Sequence, residues 1–389
     1  IYDALMNAIR KFGRDVELAP KQAYVSLRRS KQFACLQPST ATRFDVGIQL
    51  KGVEPVGRLE SSGSWNAMVS HRVRVETVDE VNAAGGVLGR KLRLIVEDDQ
   101  SKPDEASSAV TKLITQDKVV CVLGEVASRR SLAAAPVCQK YQIPMITPSS
   151  TNEGVTKIGD YIFRVCFIDP FQGTVMAKFA SANLGVKRVA ILKDVKSDYS
   201  VGLAQFFTEA FKAAGGTIVA EQAYTAGDQD FSAQLTALKA KSPDAIFLPG
   251  YYTEVGLIAR KARELGLTCP ILGGDGWESE QLIEIGGDAL NGAYYSNHFA
   301  VDNPEPKLQA FLKDFKALHG KEPDAIGGLA YDAANVLFGC LERLATDEPA
   351  LFKALGSAKA GTPERKEAQK KLAALIAAYR PLIDMGLRQ

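Results

Sequence analysis

From residue 82 onward the chain alternates short apolar runs with amphipathic stretches, and this rhythm narrows the possible folds more than any other feature. Runs at 91–97, 119–123, 144–147, 188–192, 217–224, 245–248 and 270–273 have strand length. Stretches at 103–116, 131–141, 202–214, 231–241 and 254–265 have helical spacing. Apolar runs this short, separated by helices, read as parallel strands. Pro103 suits a first helical position, where a missing N–H is harmless, and Gly215-Gly216 and Gly266 suit helix ends. The repeat describes two doubly wound α/β units in series.

Sheets of this kind bind ligands outside the carboxyl ends of their strands. Polar residues collect at four such ends. Ser128 follows 119–123; Ser149, Ser150 and Thr151 follow 143–147; Tyr251 and Tyr252 follow 245–249; Asp275 follows 270–272. Hydroxyls and amides suit an anion and an aspartate suits a cation, so the set points to a small polar ligand. Taken singly, Ser149 and Ser150 read equally well as turn residues and Asp275 as a helix N-cap. The four loops in this order favour a site.

At 389 residues the chain exceeds one ordinary core, and two or three domains are expected. A 46% hydrophobic and 24% charged composition is that of a globular protein, and a net charge of +2 gives no case for nucleic acid. No apolar stretch approaches membrane-spanning length. Residues 1–11 read as a short amphipathic segment rather than a signal peptide. The six cysteines are scattered without CxxC pairing, which speaks against structural zinc and for buried free thiols. There is no HExxH, GxSxG, P-loop or strand-following GxGxxG, so neither an enzyme nor a cofactor is expected. Glu97, Asp98 and Asp99 read as a solvated strand end, and His71, His298 and His319 have no candidate nucleophile near them in sequence.

The first eighty residues differ in texture. A helix is expected over 2–12, then alternating runs at 23–27, 32–36, 43–50 and 71–76, which suggests a small antiparallel sheet with one helix. Arg28, Arg29 and Lys31 read as a solvated hairpin tip, Trp65 as a packed ring and His71 as a strand-edge residue. The words Tyr24-Val-Ser-Leu-Arg-Arg, Phe33-Ala-Cys-Leu-Gln-Pro-Ser-Thr, Leu50-Lys-Gly-Val-Glu-Pro and Gly63-Ser-Trp-Asn-Ala-Met resemble a small bacterial domain family of unknown function. At the other end, 347–389 is rich in Ala and Lys. An amphipathic helix is expected over 363–378, with Leu372, Leu375, Ile376 and Tyr379 on one side.

The middle of the chain resembles the periplasmic binding proteins for branched-chain and related amino acids. The words that carry this are Asn82-Ala-Ala-Gly-Gly-Val-Leu-Gly-Arg, Glu97-Asp-Asp-Gln, Ile143-Pro-Met-Ile-Thr-Pro-Ser-Ser-Thr, Phe163-Arg-Val-Cys-Phe-Ile-Asp-Pro-Phe-Gln-Gly, Gly250-Tyr-Tyr-Thr-Glu-Val-Gly and Gly273-Gly-Asp-Gly-Trp. The resemblance spans about 81–344 and implies a type I two-lobe fold that closes like a hinge on its ligand. It implies that Ser128 and Ser149, Ser150 and Thr151 hold a carboxylate, and that Asp275 pairs with an ammonium. Tyr199 and Tyr251 would add hydroxyl or ring contacts, and Trp277 would wall the side-chain pocket. The implied ligand is a branched-chain or similar small amino or carboxylic acid, the partner the membrane permease of an ABC importer, and the location the periplasm.

The expected layout is a small α+β domain at 1–80, a partial first lobe at 81–165, a second lobe at 166–295, a return to the first lobe at 296–346 and a helical tail at 347–389. The chain departs from the family at both ends. The opening strand, its ligand loop and the following helix are missing, and the tail does not resemble the family's returning strands. The junction near residue 81 therefore reads as a fusion. The alternative to a working receptor is a chimera or sensory fusion with altered or lost ligand binding.

Overall fold

The computed structural model describes residues 91–379, the residues Asn82, Val87 and Arg90, and six strands within the first eighty residues. The expected helix at 2–12, the tip at Arg29 and Lys31, and Trp65 lie outside the described residues. The chain divides into two compact units, Ile1–Val96 with Val301–Pro323 and Leu337–Ala368, and Glu97–Ala300 with Asp324–Val336 and Gln369–Gln389.

In the first unit, β1 (Glu17–Pro20), β2 (Val25–Arg28), β3 (Gln32–Pro38), β4 (Phe44–Ile48), β5 (Leu59–Ser61) and β6 (His71–Val73) form one antiparallel sheet in the order β1-β2-β3-β4-β6-β5. Four of these were expected from alternation. β1 and β5 fall outside the runs read from the sequence. In the same unit, Arg90 donates to the carbonyls of Phe352 (3.2 Å) and Lys353 (3.1 Å).

The second unit holds two parallel sheets. The smaller consists of β7 (Val122–Leu123), β8 (Met145–Thr147) and β9 (Ile162–Arg164), in that order. Helices α1 (Pro103–Thr115) and α2 (Ser128–Tyr141) bury Val110, Ile114, Ala134, Ala135 and Cys138 in its core. A short helix α3 (Gly154–Lys157) precedes β9. The strand expected at 91–97 does not form: 91–99 is irregular, with Leu94 66% and Val96 79% exposed. A buried parallel strand needs a hydrogen-bonded neighbour. Among the described residues no strand pairs with 91–97; Leu92 instead exchanges both backbone hydrogen bonds with the Asn82 side chain, at 2.6 Å each.

The larger sheet runs β11 (Thr217–Tyr224), β10 (Arg188–Asp194), β12 (Ala245–Phe247), β13 (Ile271–Gly273), β14 (Ala293–Tyr295), all parallel. Successive side chains alternate between faces. Val189, Ile191, Ala245, Phe247 and Leu272 join one core; Ala190, Leu192, Ile246, Leu248 and Ile271 join the other. Both faces are dry, which is why these strands read as continuous apolar runs. Helices α4 (Asp169–Lys178) and α5 (Asp198–Ala213) pack on the first face, where Phe207 stacks on Phe247 with ring centroids 3.8 Å apart. Gly173 permits the α4–α5 approach, because a Cβ there would lie 2.8 Å from the Phe207 backbone N. On the other face lie α6 (Ser232–Lys239), α7 (Tyr252–Glu264) and α8 (Glu280–Gly286).

The chain leaves β10 toward β11 on one side and reaches β12 on the other, so the strand order reverses between β10 and β12. That reversal opens the crevice where doubly wound sheets take ligands. Helices α9 (Pro306–His319), α10 (Ala325–Asp347), α11 (Pro349–Ser357) and α12 (Pro363–Ala377) complete the chain, with Leu372 and Ile376 buried on α12 and Leu375 partly so. Among the described residues no helix is long and apolar enough to cross a membrane.

Candidate functional site

Two clusters of loops follow the strand ends. The first joins the turn after β7 to the loop after β8. The Glu125 carbonyl accepts from Thr147 Oγ1 (2.5 Å), Ser131 Oγ (3.1 Å) and Ser150 Oγ (3.1 Å). Ser149 and Ser150 also donate to the Val126 carbonyl at 3.3 and 2.9 Å, and Ser128 Oγ accepts from the Asn152 N–H at 3.1 Å. Ser128, Ser149, Ser150 and Thr151 are thus brought together, and three of the four hydroxyls already tie one loop to the other. The fourth differs. Thr151 Oγ1 is buried without a hydrogen-bond partner. A buried hydroxyl left unpaired costs about 1–3 kcal/mol. Arg164 fixes this loop from β9, donating to the carbonyls of Ser150 (2.7 Å) and Asn152 (2.9 Å) and to Thr156 Oγ1 (2.8 Å).

The second cluster lies at the ends of β10, β12 and β13. Ser197 caps α5, and Ser200 ties it to β12 by donating to the Pro249 carbonyl. Tyr199 and Tyr251 pack with ring centroids 5.3 Å apart, and the Tyr199 hydroxyl accepts from the Gly276 N–H at 3.1 Å. Burial pushes both phenols up, so each remains a neutral O–H. Asp275 opens a short 3-10 turn, Asp275–Trp277. Trp277 lies in the core, its Nε1 donating to the Leu248 carbonyl (3.0 Å) and its ring 5.9 Å from that of Tyr295.

Around Asp275 stand three residues that the sequence did not single out. Gln172 Oε1 accepts the Asp275 N–H (3.0 Å), which fixes the amide orientation. Its Nε2 must then donate, and it reaches Asp275 Oδ1 at 3.0 Å and Asp169 Oδ1 at 3.3 Å. Asp169 Oδ2 is buried without a partner; burial raises this carboxyl to about 7, with the charge of Asp275 adding to the rise. The Thr151 hydroxyl lies close enough to oppose that rise, although outside hydrogen-bonding geometry. His298 Nε2 lies 3.1 Å from Asp275 Oδ2, its ring stacked on Phe167 at 4.0 Å. Asp169 and Gln172 fall inside the word Phe163-Arg-Val-Cys-Phe-Ile-Asp-Pro-Phe-Gln-Gly, and their one-turn spacing at a helix start was the available signal. His298 gave none, since only the fold brings it to Asp275.

The two clusters meet. Asn152 Nδ2 donates to the Asp198 carbonyl (2.9 Å), and the Asp169 N–H to the Thr151 carbonyl (3.0 Å). The hydroxyls of one cluster and the Asp275 carboxylate of the other thus belong to two loop groups tied together by hydrogen bonds. Among the described residues no cluster of His, Cys, Asp and Glu could hold a metal ion.

A profile of periplasmic binding proteins matches residues 77–366. The chain belongs to the periplasmic binding protein family. A second profile, of a domain of unknown function, matches residues 1–87, so this periplasmic binding protein carries an additional N-terminal domain. The chain is 36% identical over 275 residues to the Leu/Ile/Val-binding protein BraC3 of Rhizobium johnstonii, covering 70% of this chain and 74% of that one. Among solved structures it resembles the leucine binding protein LivK of Thermotoga maritima, with TM-score 0.66, 42% identity and coverage of 75% and 77%. It also resembles LivJ of Streptococcus pneumoniae, a branched-chain amino acid transporter substrate binding protein solved with isoleucine, with TM-score 0.66, 36% identity and coverage of 76% and 80%. The type I two-lobe fold is shared with both.

Proposed function

We propose that this periplasmic binding protein captures an α-amino acid of the branched-chain type and delivers it to the membrane permease of an ABC importer, acting in the periplasm. The observation that carries the reading is the meeting of two loop clusters, one with the unpartnered hydroxyl of Thr151 among other hydroxyls and one with the Asp275 carboxylate. An α-amino acid presents a carboxylate and an ammonium at a fixed spacing. Ser128, Ser149, Ser150 and Thr151 would receive the first and Asp275 the second, with Tyr199 and Tyr251 beside the ligand and Trp277 behind the side-chain pocket. Support comes from the relatives, one named for leucine, isoleucine and valine and another solved with isoleucine. No catalytic step is assigned.

The second reading is a fusion that has lost binding, favoured by the irregular segment 91–99, where a strand was expected, and the additional N-terminal domain. A thermal-shift screen of the full chain against the common amino acids separates the two. A ligand that binds only the folded state at a hundredfold excess over Kd stabilises it by about 2.7 kcal/mol. A rise in Tm with leucine, isoleucine or valine supports the receptor; a flat screen from a cooperatively melting chain supports the lost site.

A further inference from the structure

One side chain joins the loop after β8 to the first turn of α5. Asn152 Nδ2 donates to the Asp198 carbonyl at 2.9 Å. Its Oδ1 accepts the Gly154 N–H (2.8 Å), which fixes the orientation of the amide. The backbone of Asn152 is held as well: its N–H donates to Ser128 Oγ (3.1 Å), and its carbonyl accepts from Arg164 (2.9 Å). Asn152 is therefore fixed within the hydroxyl loop, and its Nδ2 alone reaches out of it.

The turn that receives this amide is rigid and has room for it. Ser197 accepts the Ser200 N–H at 3.3 Å, and Ser200 fastens the turn to β12 through the Pro249 carbonyl. Gly202 lies one helical turn beyond Asp198. A Cβ there would meet Asn152 Nδ2 at 3.1 Å and Asp169 Oδ2 at 3.5 Å, so the missing side chain leaves the space that the amide needs. The bond thus joins the neighbour of Thr151 to the neighbour of Tyr199, one in each loop cluster. Among the described residues no other hydrogen bond or ion pair joins 97–164 to 188–300. The remaining tie between the clusters, from the Asp169 N–H to the Thr151 carbonyl, lies where the chain itself passes from one sheet to the other.

We infer that Asn152 is a positioning residue that latches the hydroxyl loop to α5 and sets how fast the ligand leaves. This rests on the functional reading given above. A ligand held by Thr151 at one end and Asp275 at the other leaves when the two loop clusters part. The passage of the chain between the sheets is covalent and serves as the pivot, so the Asn152–Asp198 bond is the tie that has to break. The Asn152 amide is spent on Gly154 and Asp198 and is not among the groups assigned to the ligand. Its loss therefore acts on release rather than on capture, as most changes in affinity do. The bond lies at an exposed edge, where water replaces it on opening. Its worth is that of one ordinary hydrogen bond, a factor of about three to ten in the release rate.

The test follows release of isotope-labelled L-leucine from the full chain into excess unlabelled leucine, with the Kd from titration calorimetry and a ligand-free melt of each variant. Asn152→Ser keeps a hydroxyl that can accept the Gly154 N–H but lacks the reach to Asp198. Gly202→Ala leaves Asn152 intact and fills the space beside its amide, in a helix where Ala is favoured over Gly. Each variant is expected to melt near the wild type, to release leucine about three- to tenfold faster and to show a Kd raised by the same factor. The double variant is expected to release no faster than the faster single one, because both changes act on one bond. The two substitutions alter different elements, so a loss of fold in one leaves the other as the test. Release within about twofold of wild type in the folded variants, or effects that multiply in the double variant, overturns the inference and leaves the functional reading standing. No leucine binding by the wild type overturns both.

Discussion

Replacing Asp275 by Asn removes the anion at the proposed ammonium end while disturbing little else. The side chain is isosteric, and its Oδ1 can still accept from Gln172 Nε2, now at 3.0 Å from the carboxylate. Its Nδ2 can donate to His298 Nε2, which sits 3.1 Å from the present Oδ2. The fold therefore keeps its hydrogen bonds, and the ligand-free Tm is expected to stay within a few degrees of wild type. Binding is another matter. Asp275 is 8% exposed, and opposite charges about 4 Å apart at an effective dielectric of about 20 attract by roughly 4 kcal/mol. Measured losses on truncating a buried charge pair run from about 2 to 5 kcal/mol. A loss of about 2–4 kcal/mol raises the Kd for leucine roughly thirty- to a thousandfold. Titration calorimetry measures the Kd, and a ligand-free melt checks the fold. A variant that melts like wild type and binds leucine within about threefold of its affinity would refute the assignment of Asp275.

Other outcomes follow from the same geometry. Thr151→Val deletes a buried hydroxyl without a partner, so ligand-free stability should hold or rise while leucine affinity falls about tenfold or more; a chemical melt and a titration read both. Asp169 has a carboxyl raised to about 7, so the folded state binds more protons than the unfolded state between about pH 4 and pH 7, and stability falls as pH rises through that window. Asp169→Asn should flatten that decline and melt higher than wild type at pH 8; an unchanged pH profile contradicts the burial argument. Phe207→Ala removes a fully buried ring stacked between Phe211 and Phe247, and urea unfolding should show about 3–5 kcal/mol lost.

The two sheets were legible in sequence to the extent that their strands are buried on both faces. β11 falls at Thr217–Tyr224 as the apolar run placed it, and β10 extends two residues past its run because Lys193 and Asp194 continue the pairing with β11. The same logic misplaced 91–97. Its pattern suits a strand, but a pattern cannot supply the neighbour a strand needs, and 91–99 stays irregular. At the candidate site, Ser128, the loop 149–151, Tyr251 and Asp275 were read from their places after strand ends, and Tyr199 only from the family resemblance. Asp169, Gln172 and His298 matter only through one another. Gln172 is 103 residues from Asp275 and His298 is 23 residues beyond it, and no local spacing encodes those meetings. Trp277, expected to wall the ligand pocket, has its ring in the core with Leu248 and Tyr295, so any part it plays in the pocket is through the backing it gives.

The most direct test of the account is a crystal structure of the full chain grown with L-leucine. The account expects the ligand carboxylate on Thr151 and the 149–151 loop, and its ammonium on Asp275 beside the His298 imidazole. Leucine bound with its amine away from Asp275, or a crevice empty at saturating leucine, would contradict it.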